Sequence, residues 1–168
     1  MSLSMYQASV PVLIRMLSNL SAILDKAAAH AEAKKIDPSV FINARLAPDM
    51  LPFTFQVQTA TDSAKGCAAR LAGITAPSFP DTEASFPELK ERLAKTIAFL
   101  QSVKAEQIDG SEERNITLKL GSREFPFLGQ SYLLTFVLPN FFFHVTTAYA
   151  ILRHHGVEIG KQDFLGGA

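Results

Sequence analysis

Three of the four histidines in this 168-residue chain lie in one segment, PNFFFHVTTAYAILRHHG at 139–156. The spacing of its apolar residues predicts a helix, with His144 at the edge of the apolar face. His154 and His155 lie about three turns further on, too far away to share a ligand with His144. An imidazole at the edge of a core can act as a base, bind a metal ion or only satisfy a hydrogen bond. His144 is therefore the candidate catalytic residue, and these three interpretations stay open.

A row of polar residues accompanies a second predicted helix. Asp49, Gln56 and Ser63 recur every seven residues along one flank of its apolar face. Such a row can face a pocket or water, and its position alone favours water. Asp49 also suits the N-cap of this helix, which is the interpretation that we prefer for it. If the row faces a pocket instead, Gln56 and Asp49 are the polar partners of His144.

Two other reactive side chains have plainer interpretations. Tyr149 lies on the other side of the apolar face from His144, so its ring should pack while its hydroxyl meets a partner or water. We include Tyr149 with Gln56 and Asp49 as candidate ligand-pocket residues. Cys67 falls on a predicted apolar face among alanines, which favours a buried, unreactive thiol. The sequence contains no glycine-rich phosphate loop, Cys-x-x-Cys, His-Glu-x-x-His, Glu-x-x-His or Gly-x-Ser-x-Gly motif.

The composition is that of a folded, electrically balanced domain. Hydrophobic residues make up 48% of the chain, and 16 basic residues balance 16 acidic ones. This balance gives no basic field for nucleic acid, so we expect no nucleic-acid partner. The single cysteine favours a reducing compartment, and the start MSLSMYQASVPVLIRML lacks the pattern of a signal peptide. The most apolar stretch, FPFLGQSYLLTFVLPNFFF, is interrupted by polar residues, so we expect a cytoplasmic protein with no membrane span or membrane partner.

Four apolar-periodic segments predict four long helices in a single domain over 1–168. They cover about 4–30, 47–73, 85–105 and 129–155. Pro11 predicts a kink or a delayed start in the first helix, and Pro139 predicts a bend in the fourth. Ser85 and Glu88 form a capping box that should start the third helix. Apart from one short segment, the fold class is therefore all-α.

That short segment is a predicted β-hairpin before the fourth helix. Residues 115–120, NITLKL, alternate between apolar and polar side chains with period two. Gly121-Ser122 fits a two-residue turn, and residues 123–127 can pair back along the first strand. A lone hairpin is marginal in water, so it should pack on the helices. Phe164 or Leu165 should anchor the tail that follows the fourth helix.

Three segments of the sequence resemble the DinB/YfiT-like metalloenzyme superfamily, in an uncharacterised bacterial branch. They are PNFFFHVTTAYAILRHHGVEIGKQDFLG, LAPDMLPFTFQVQTATDSAKGCAARLAG and MYQASVPVLIRMLSNL. The resemblance implies an up-down-down-up four-helix bundle with a long crossover after the second helix, often assembled as a homodimer. It also implies a divalent-metal site of three histidines, one on the second helix and two at i and i+4 on the fourth. Residues at i and i+4 share one face of a helix and can chelate one ion.

This sequence departs from that ligand set. His144 matches the first histidine of the fourth-helix pair, but Ala148 occupies the i+4 position. The second helix offers Gln56 or Gln58 where the remaining histidine would lie. Glutamine is a poor ligand for zinc or nickel compared with imidazole. The metal ligand set is therefore incomplete beyond His144, the cofactor is unassigned, and no enzymatic activity is carried over.

Two functional hypotheses follow from these residues. The first is a DinB-like bundle that retains a small-molecule pocket, with His144 as a base or weak metal ligand and Gln56 and Asp49 beside it. The second is a non-enzymatic binding or dimerisation module that kept the fold and lost the ancestral metal chemistry. We favour the first as a description of ancestry and the second as a description of present activity.

Overall fold

The computed structural model describes residues 3–167 and is mostly helical, with one two-stranded antiparallel sheet in that range. Its helices are α1 (Val10–Lys34), α2 (Pro38–Ile42), α3 (Phe53–Ala72), α4 (Phe86–Ser102), α5 (Ala105–Ile108), α6 (Gly129–Ser131), α7 (Leu138–His154) and α8 (Lys161–Leu165). Its strands are β1 (Asn115–Leu120) and β2 (Arg123–Leu128), and a π-helical segment (Tyr132–Val137) joins α6 to α7. Helix α6, the π-helical segment and α7 form one continuous helix, Gly129–His154, which is called the C-terminal helix below. The predicted helical class, with a hairpin before the fourth long helix, is confirmed.

The first long helix begins later than its apolar spacing suggests. Val10 is the first residue of α1, and Pro11 lies in its first turn. Proline is accepted there because an N–H at that position would have no partner within the helix. Of the two outcomes predicted for Pro11, the delayed start is confirmed. The predicted end at His30 is too early, because the helix continues to Lys34.

A second proline sets the start of α3. Pro52 is the N-cap residue, and the helix begins at Phe53 rather than at Asp49. Leu51 precedes a proline, and the proline ring disfavours the α conformation at that residue. The helix therefore cannot extend further back along the chain. The interpretation of Asp49 as the cap of this helix is wrong.

Helix α3 is the centre around which the other elements pack. It contacts α1, α2, α4, α5, the π-helical segment and α7. Its inward side chains are mostly small, and Ala60, Ala64, Cys67 and Ala68 have no solvent exposure. Small side chains let neighbouring backbones approach closely while the interior stays densely packed. The predicted apolar face of this helix is therefore confirmed over its whole length.

The C-terminal helix changes its phase at the π-helical segment. A π turn takes up more residues than an α turn, so the residues before it rotate relative to those after it. The predicted apolar face continued from Phe141 through Leu138 to Leu134, but Leu134 is 50% exposed. The buried residues are Val137 and Leu133 instead, one position earlier. Pro139 lies in the first turn of α7, directly after the π-helical segment, and the bend predicted at this residue stays a prediction.

Two local predictions are confirmed, the capping box by its hydrogen bonds and the hairpin by the register of its strands. The hydroxyl of Ser85 accepts a hydrogen bond from the backbone N–H of Glu88, and the Glu88 carboxylate accepts one from the N–H of Ala84. In the hairpin, Leu120 pairs with Arg123 across the two-residue turn. Both elements could be predicted because the chemistry that forms them lies within a few residues.

The C-terminal helix corrects the expectation about membrane-spanning length. Its 26 residues are long and apolar enough to cross a membrane by length and composition, the one such helix among residues 3–167. The residues expected to interrupt this stretch do not break the helix. Gly129 is its first residue, and Pro139 lies just after the π turn, where the helix accommodates it. Phe141, Val145 and Leu152 on this helix are buried in the core.

An unexpected buried arginine holds the connection between α3 and α4. The side chain of Arg92 on α4 is only 1% exposed. Its guanidinium donates hydrogen bonds to the hydroxyl of Thr61 (2.7 Å), to Asp62 (2.7 Å), to Glu83 (3.1 Å) and to the carbonyl oxygen of Pro80 (3.2 Å). A guanidinium can be buried in this way because each of its donors finds an acceptor.

The same cluster lowers the pKa of one of its carboxyl groups. Burial alone would raise the pKa of Glu83, but hydrogen bonds from Gln58 and Arg92 and the positive charge of Arg92 outweigh it. The net result is a pKa below the ordinary value for a glutamate. A carboxyl group whose pKa is lower in the folded protein than in the unfolded chain stabilises the fold when it is ionised. The stabilisation by Glu83 is therefore present above the pKa of glutamate in the unfolded chain and is lost as the pH falls through the lower folded value.

We expect Arg92→Met to lower the free energy of unfolding by roughly 2–4 kcal/mol, because the carboxylates and Thr61 then lose a buried charged donor. Lys95→Met is the matched control, since Lys95 lies one turn further along α4 in an ion pair with Glu91 that is more than half exposed on both sides. That change should cost under about 0.5 kcal/mol. Urea denaturation measures both, and equal losses for the two variants would contradict a structural role for the buried guanidinium.

Candidate functional site

His144 on α7 faces Gln56 on α3 at the edge of the core. The ring nitrogen Nδ1 of His144 lies 2.8 Å from the side-chain oxygen Oε1 of Gln56. Gln56 is 2% exposed and His144 is 9% exposed. The structure therefore brings together two of the four residues that the sequence singled out, and they meet across the contact between two helices.

The second hydrogen bond of Gln56 fixes which atom donates to which. Its amide nitrogen Nε2 donates to the carbonyl oxygen of Leu51 at 2.9 Å. A carbonyl oxygen can only accept, so the nitrogen of the amide must point to Leu51 and the oxygen to His144. His144 must then donate from Nδ1, which leaves the lone pair of the neutral ring on Nε2. The site thus presents one oriented hydrogen-bond acceptor.

Aromatic rings enclose the imidazole on two sides. The ring centre of Phe55 lies 6.1 Å from that of His144, and the ring centre of Phe143 lies 5.2 Å away. Removal from water disfavours the charged form, and this desolvation lowers the pKa of His144 below its ordinary value. Nε2 has no hydrogen-bond partner in the described part of the chain, yet it is not among the fully buried unpaired atoms. This nitrogen therefore keeps some contact with solvent.

Two further polar contacts continue the same row along α3. Asn140 donates to the hydroxyl of Ser63 at 3.3 Å, and Arg70 donates to the hydroxyl of Tyr132 at 2.9 Å. Gln56, Ser63 and Arg70 are spaced by seven residues, as the sequence suggested for the first two. The residue numbers of their partners on the C-terminal helix fall from 144 to 140 to 132 as the residue numbers on α3 rise. The two helices therefore run antiparallel. The row faces a neighbouring helix, and the expectation that it faces water is wrong for Gln56.

The other two candidate pocket residues lie away from His144. Asp49 is exposed in the segment before α3. Tyr149 is half-buried, and its ring centre lies 5.9 Å from that of Phe164 on α8. Five residues along a helix correspond to a rotation of about 140°, so Tyr149 points away from the side of α7 that carries His144. Phe164, rather than the half-exposed Leu165, is the anchor of the tail.

The residues around His144 do not fit the metal site that the resemblance implies. No group of three or more His, Cys, Asp or Glu side chains able to hold a metal ion occurs between residues 3 and 167. Nδ1 of His144 is used by Gln56, and the Ala148 position is fully buried in the core. A single imidazole nitrogen with an amide neighbour is far from the three or four nitrogen, sulfur or carboxylate ligands that zinc takes.

A shallow apolar groove on α7 shares Phe143 with the surroundings of the imidazole, although His144 itself does not line it. It has a volume of about 400 Å³ and is lined by Leu46, Phe142, Phe143, Thr146, Thr147 and Ala150, here called the α7 groove. None of these six residues carries a charge. Phe143 belongs both to this groove and to the aromatic enclosure of His144. The sequence shows this feature only as the FFFH run, which does not reveal which ring stays exposed.

Cys67 does not contribute a nucleophile to this site. It is buried on the inward face of α3, and the loss of solvation raises the pKa of its thiol to about 12. A thiol with such a pKa stays protonated near neutrality and is unreactive. The prediction of a buried, unreactive cysteine is confirmed.

Comparison with known proteins identifies a family and a similar solved structure. The family model described as a domain of unknown function, DUF1993, matches residues 5–165. The crystal structure of a DinB family member protein from Shewanella denitrificans is 39% identical in sequence and has a TM-score of 0.88. The match covers 97% of this chain and 92% of that one. No curated protein matches.

We expect His144 to titrate below the pKa of about 6.5 that it has in the unfolded chain, because its neutral form is the one that tolerates burial. Nitrogen-detected NMR of the ring should show the proton on Nδ1 at neutral pH. The unfolded state then binds a proton that the folded state does not, so stability falls as the pH drops below about 6.5 and towards the folded pKa. A neutral ring protonated on Nε2, or a midpoint above the unfolded value, would contradict the assignment.

Two substitutions at Gln56 separate hydrogen bonding from charge. Gln56→Glu should raise the pKa of His144 above the wild-type value, because a carboxylate favours the imidazolium opposite it. Gln56→Leu should lower the free energy of unfolding by roughly 1–3 kcal/mol, because the ring N–H of His144 and the carbonyl of Leu51 lose their partner. NMR titration and urea denaturation report the two effects. The same His144 midpoint in all three proteins would show that Gln56 does not contact the ring.

Proposed function

The chain belongs to the DUF1993 family of DinB-like proteins of unknown function, and from this premise we propose that it binds a small molecule at His144 without a resident metal ion. The observation that carries the proposal is the oriented, neutral imidazole at the edge of the α3–α7 contact. Its free Nε2 offers one hydrogen-bond acceptor, and Phe143, which contacts the ring, also lines the apolar α7 groove. Binding sites usually combine an apolar wall with a few oriented polar groups.

The contacts support the up-down-down-up bundle as the scaffold of this site. The rings of Phe53 and Phe86 meet at 6.2 Å, and Arg92 reaches Thr61 at 2.7 Å. Residue numbers on α3 and α4 thus rise together along the contact, as they do for parallel helices. The connection 73–85 can span about 43–47 Å when extended, which exceeds the roughly 30 Å length of α3. A crossover that returns to the start of α3 is therefore long enough.

The incomplete ligand set supports a binding role in which metal chemistry has been lost. In this arrangement Gln56, one of the two glutamines where the resemblance implies a histidine ligand, bonds to the imidazole directly at 2.8 Å. Gln56 then acts as the positioning partner that holds the ring and selects its protonated nitrogen. We propose no reaction, and His144 serves as a base only if the bound molecule offers a proton to Nε2.

A non-enzymatic dimerisation module is the second candidate, and exposed apolar side chains favour it. Leu134 and Phe143 on the C-terminal helix are 50% and 56% exposed. Such residues on one helix suit a contact with a second copy of the chain. In this version the protein is a cytoplasmic homodimer, His144 is a structural residue, and its replacement changes stability but no ligand affinity.

Zinc titration by calorimetry tests the absence of a resident metal site. Protein purified without a histidine tag should bind Zn²⁺ at His144 with a Kd weaker than about 100 μM, since one imidazole is a poor site alone. Gln56→His is the matched variant that should gain affinity for Zn²⁺, because two imidazoles would then face each other between α3 and α7. That variant should bind at least about tenfold more tightly. Stoichiometric, tight metal binding by the wild-type protein that His144→Ala abolishes would overturn the proposal.

A further inference from the structure

We infer that the site at His144 selects an uncharged molecule with an apolar body and one hydrogen-bond donor, such as an alcohol, a phenol or an N–H group. This inference rests on the proposed function and adds to it the chemical class of the ligand. Three features of the site lead to it: the protonation of the ring, the lining of the groove and the amount of exposed apolar surface.

The ring sets the polarity of the ligand. With Nδ1 donating to Gln56, the imidazole offers Nε2 as a lone pair and has no second N–H to give. A carboxylate or phosphate would bring a second acceptor against that lone pair, which is unfavourable without a proton between them. A ligand O–H or N–H completes the hydrogen bond of Nε2.

The groove excludes a charged ligand for a different reason. Its six lining residues are uncharged, and Phe143 joins it to the imidazole. A charged group moved from water to an apolar wall loses hydration that no lining side chain replaces. An aromatic or alkyl body, in contrast, gains from covering the exposed rings and methyl groups.

Four large apolar residues in this part of the structure remain open to solvent. Phe55 and Phe143 contact the ring of His144, the backbone carbonyl of Leu51 accepts a hydrogen bond from Gln56, and Leu46 lines the groove together with Phe143. Their exposed fractions are 36%, 56%, 47% and 40% in that order. We call these four residues the apolar collar.

The size of the collar favours a small molecule over a second copy of the chain. If a free side chain of this kind exposes on the order of 200 Å², the collar offers roughly 350 Å². The 800 Å² per partner that a stable dimer buries contains roughly 450–520 Å² of apolar surface, which is more than the collar offers. An apolar patch of roughly 300–600 Å² is often a functional site on a monomer. The groove volume of about 400 Å³ also lies within the usual range for small ligands.

Matched aromatic probes test the class of ligand by NMR titration of the full chain. Phenol, toluene and benzoate share a ring and differ in donor and charge. We expect phenol to bind beside His144 with a Kd in the millimolar range and toluene to bind about fivefold more weakly, as one hydrogen bond implies. Benzoate should bind more weakly than either. Phe143→Ser should weaken phenol and toluene alike, since this exposed residue contributes only apolar contact.

The imidazole itself is tested by removing its lone pair. His144→Leu should abolish the preference for phenol over toluene. If that variant does not fold, anisole serves as a second probe of the wild-type protein at neutral pH. It keeps the ring and the oxygen of phenol but has no O–H to donate, so it should bind no more tightly than toluene. Equal binding of phenol and toluene at neutral pH, or tighter binding of benzoate at His144, would overturn the ligand class while leaving a binding site in place.

Two other outcomes bear on both proposals. Failure of all three probes to shift the signals of His144 and Phe143 would overturn the binding site itself. Sedimentation that shows a dimer whose formation shifts the same signals would assign the apolar collar to a second copy of the chain. A monomer in which phenol shifts these signals supports the inference.

Discussion

The close packing of α3 against its neighbours is the constraint on which the rest of the structure depends. Alanine and cysteine side chains on this helix leave room for other backbones on several sides, so α3 is surrounded and several of its polar residues are buried with it. A buried polar group must find a partner. Gln56 finds His144, Ser63 finds Asn140, and Thr61 finds Arg92.

The candidate site follows from this requirement. Gln56 lies between the carbonyl of Leu51 and the imidazole of His144, and the fixed chemistry of the carbonyl determines the other two groups. The proline that ends the irregular segment before α3 places that carbonyl at the right point. A backbone feature in the loop thus sets the protonation of a ring on another helix. The proposed binding role uses the one ring nitrogen that the fold leaves free.

Much of the fold could be predicted because its signals are local. Apolar spacing, the Ser85–Glu88 capping box and the Gly121-Ser122 turn each act over a few residues. The phase of the C-terminal helix could not be predicted beyond Phe141, because a π turn has no reliable sequence signature and shifts every earlier residue by one position. The sequence brought out His144 and Gln56 separately, but their contact depends on how two distant helices pack. Arg92 was missed because its acceptors come from α3 and from the connection after it.

The central claim is that His144 and Gln56 form one energetic unit across the α3–α7 contact. A double-mutant cycle tests it most directly, with Gln56→Ala, His144→Ala and the double variant compared by urea denaturation. We expect the two single losses not to add, with a coupling energy of about 1–2 kcal/mol for a buried hydrogen bond. Additive losses within about 0.3 kcal/mol would show that the two residues act independently and would contradict it.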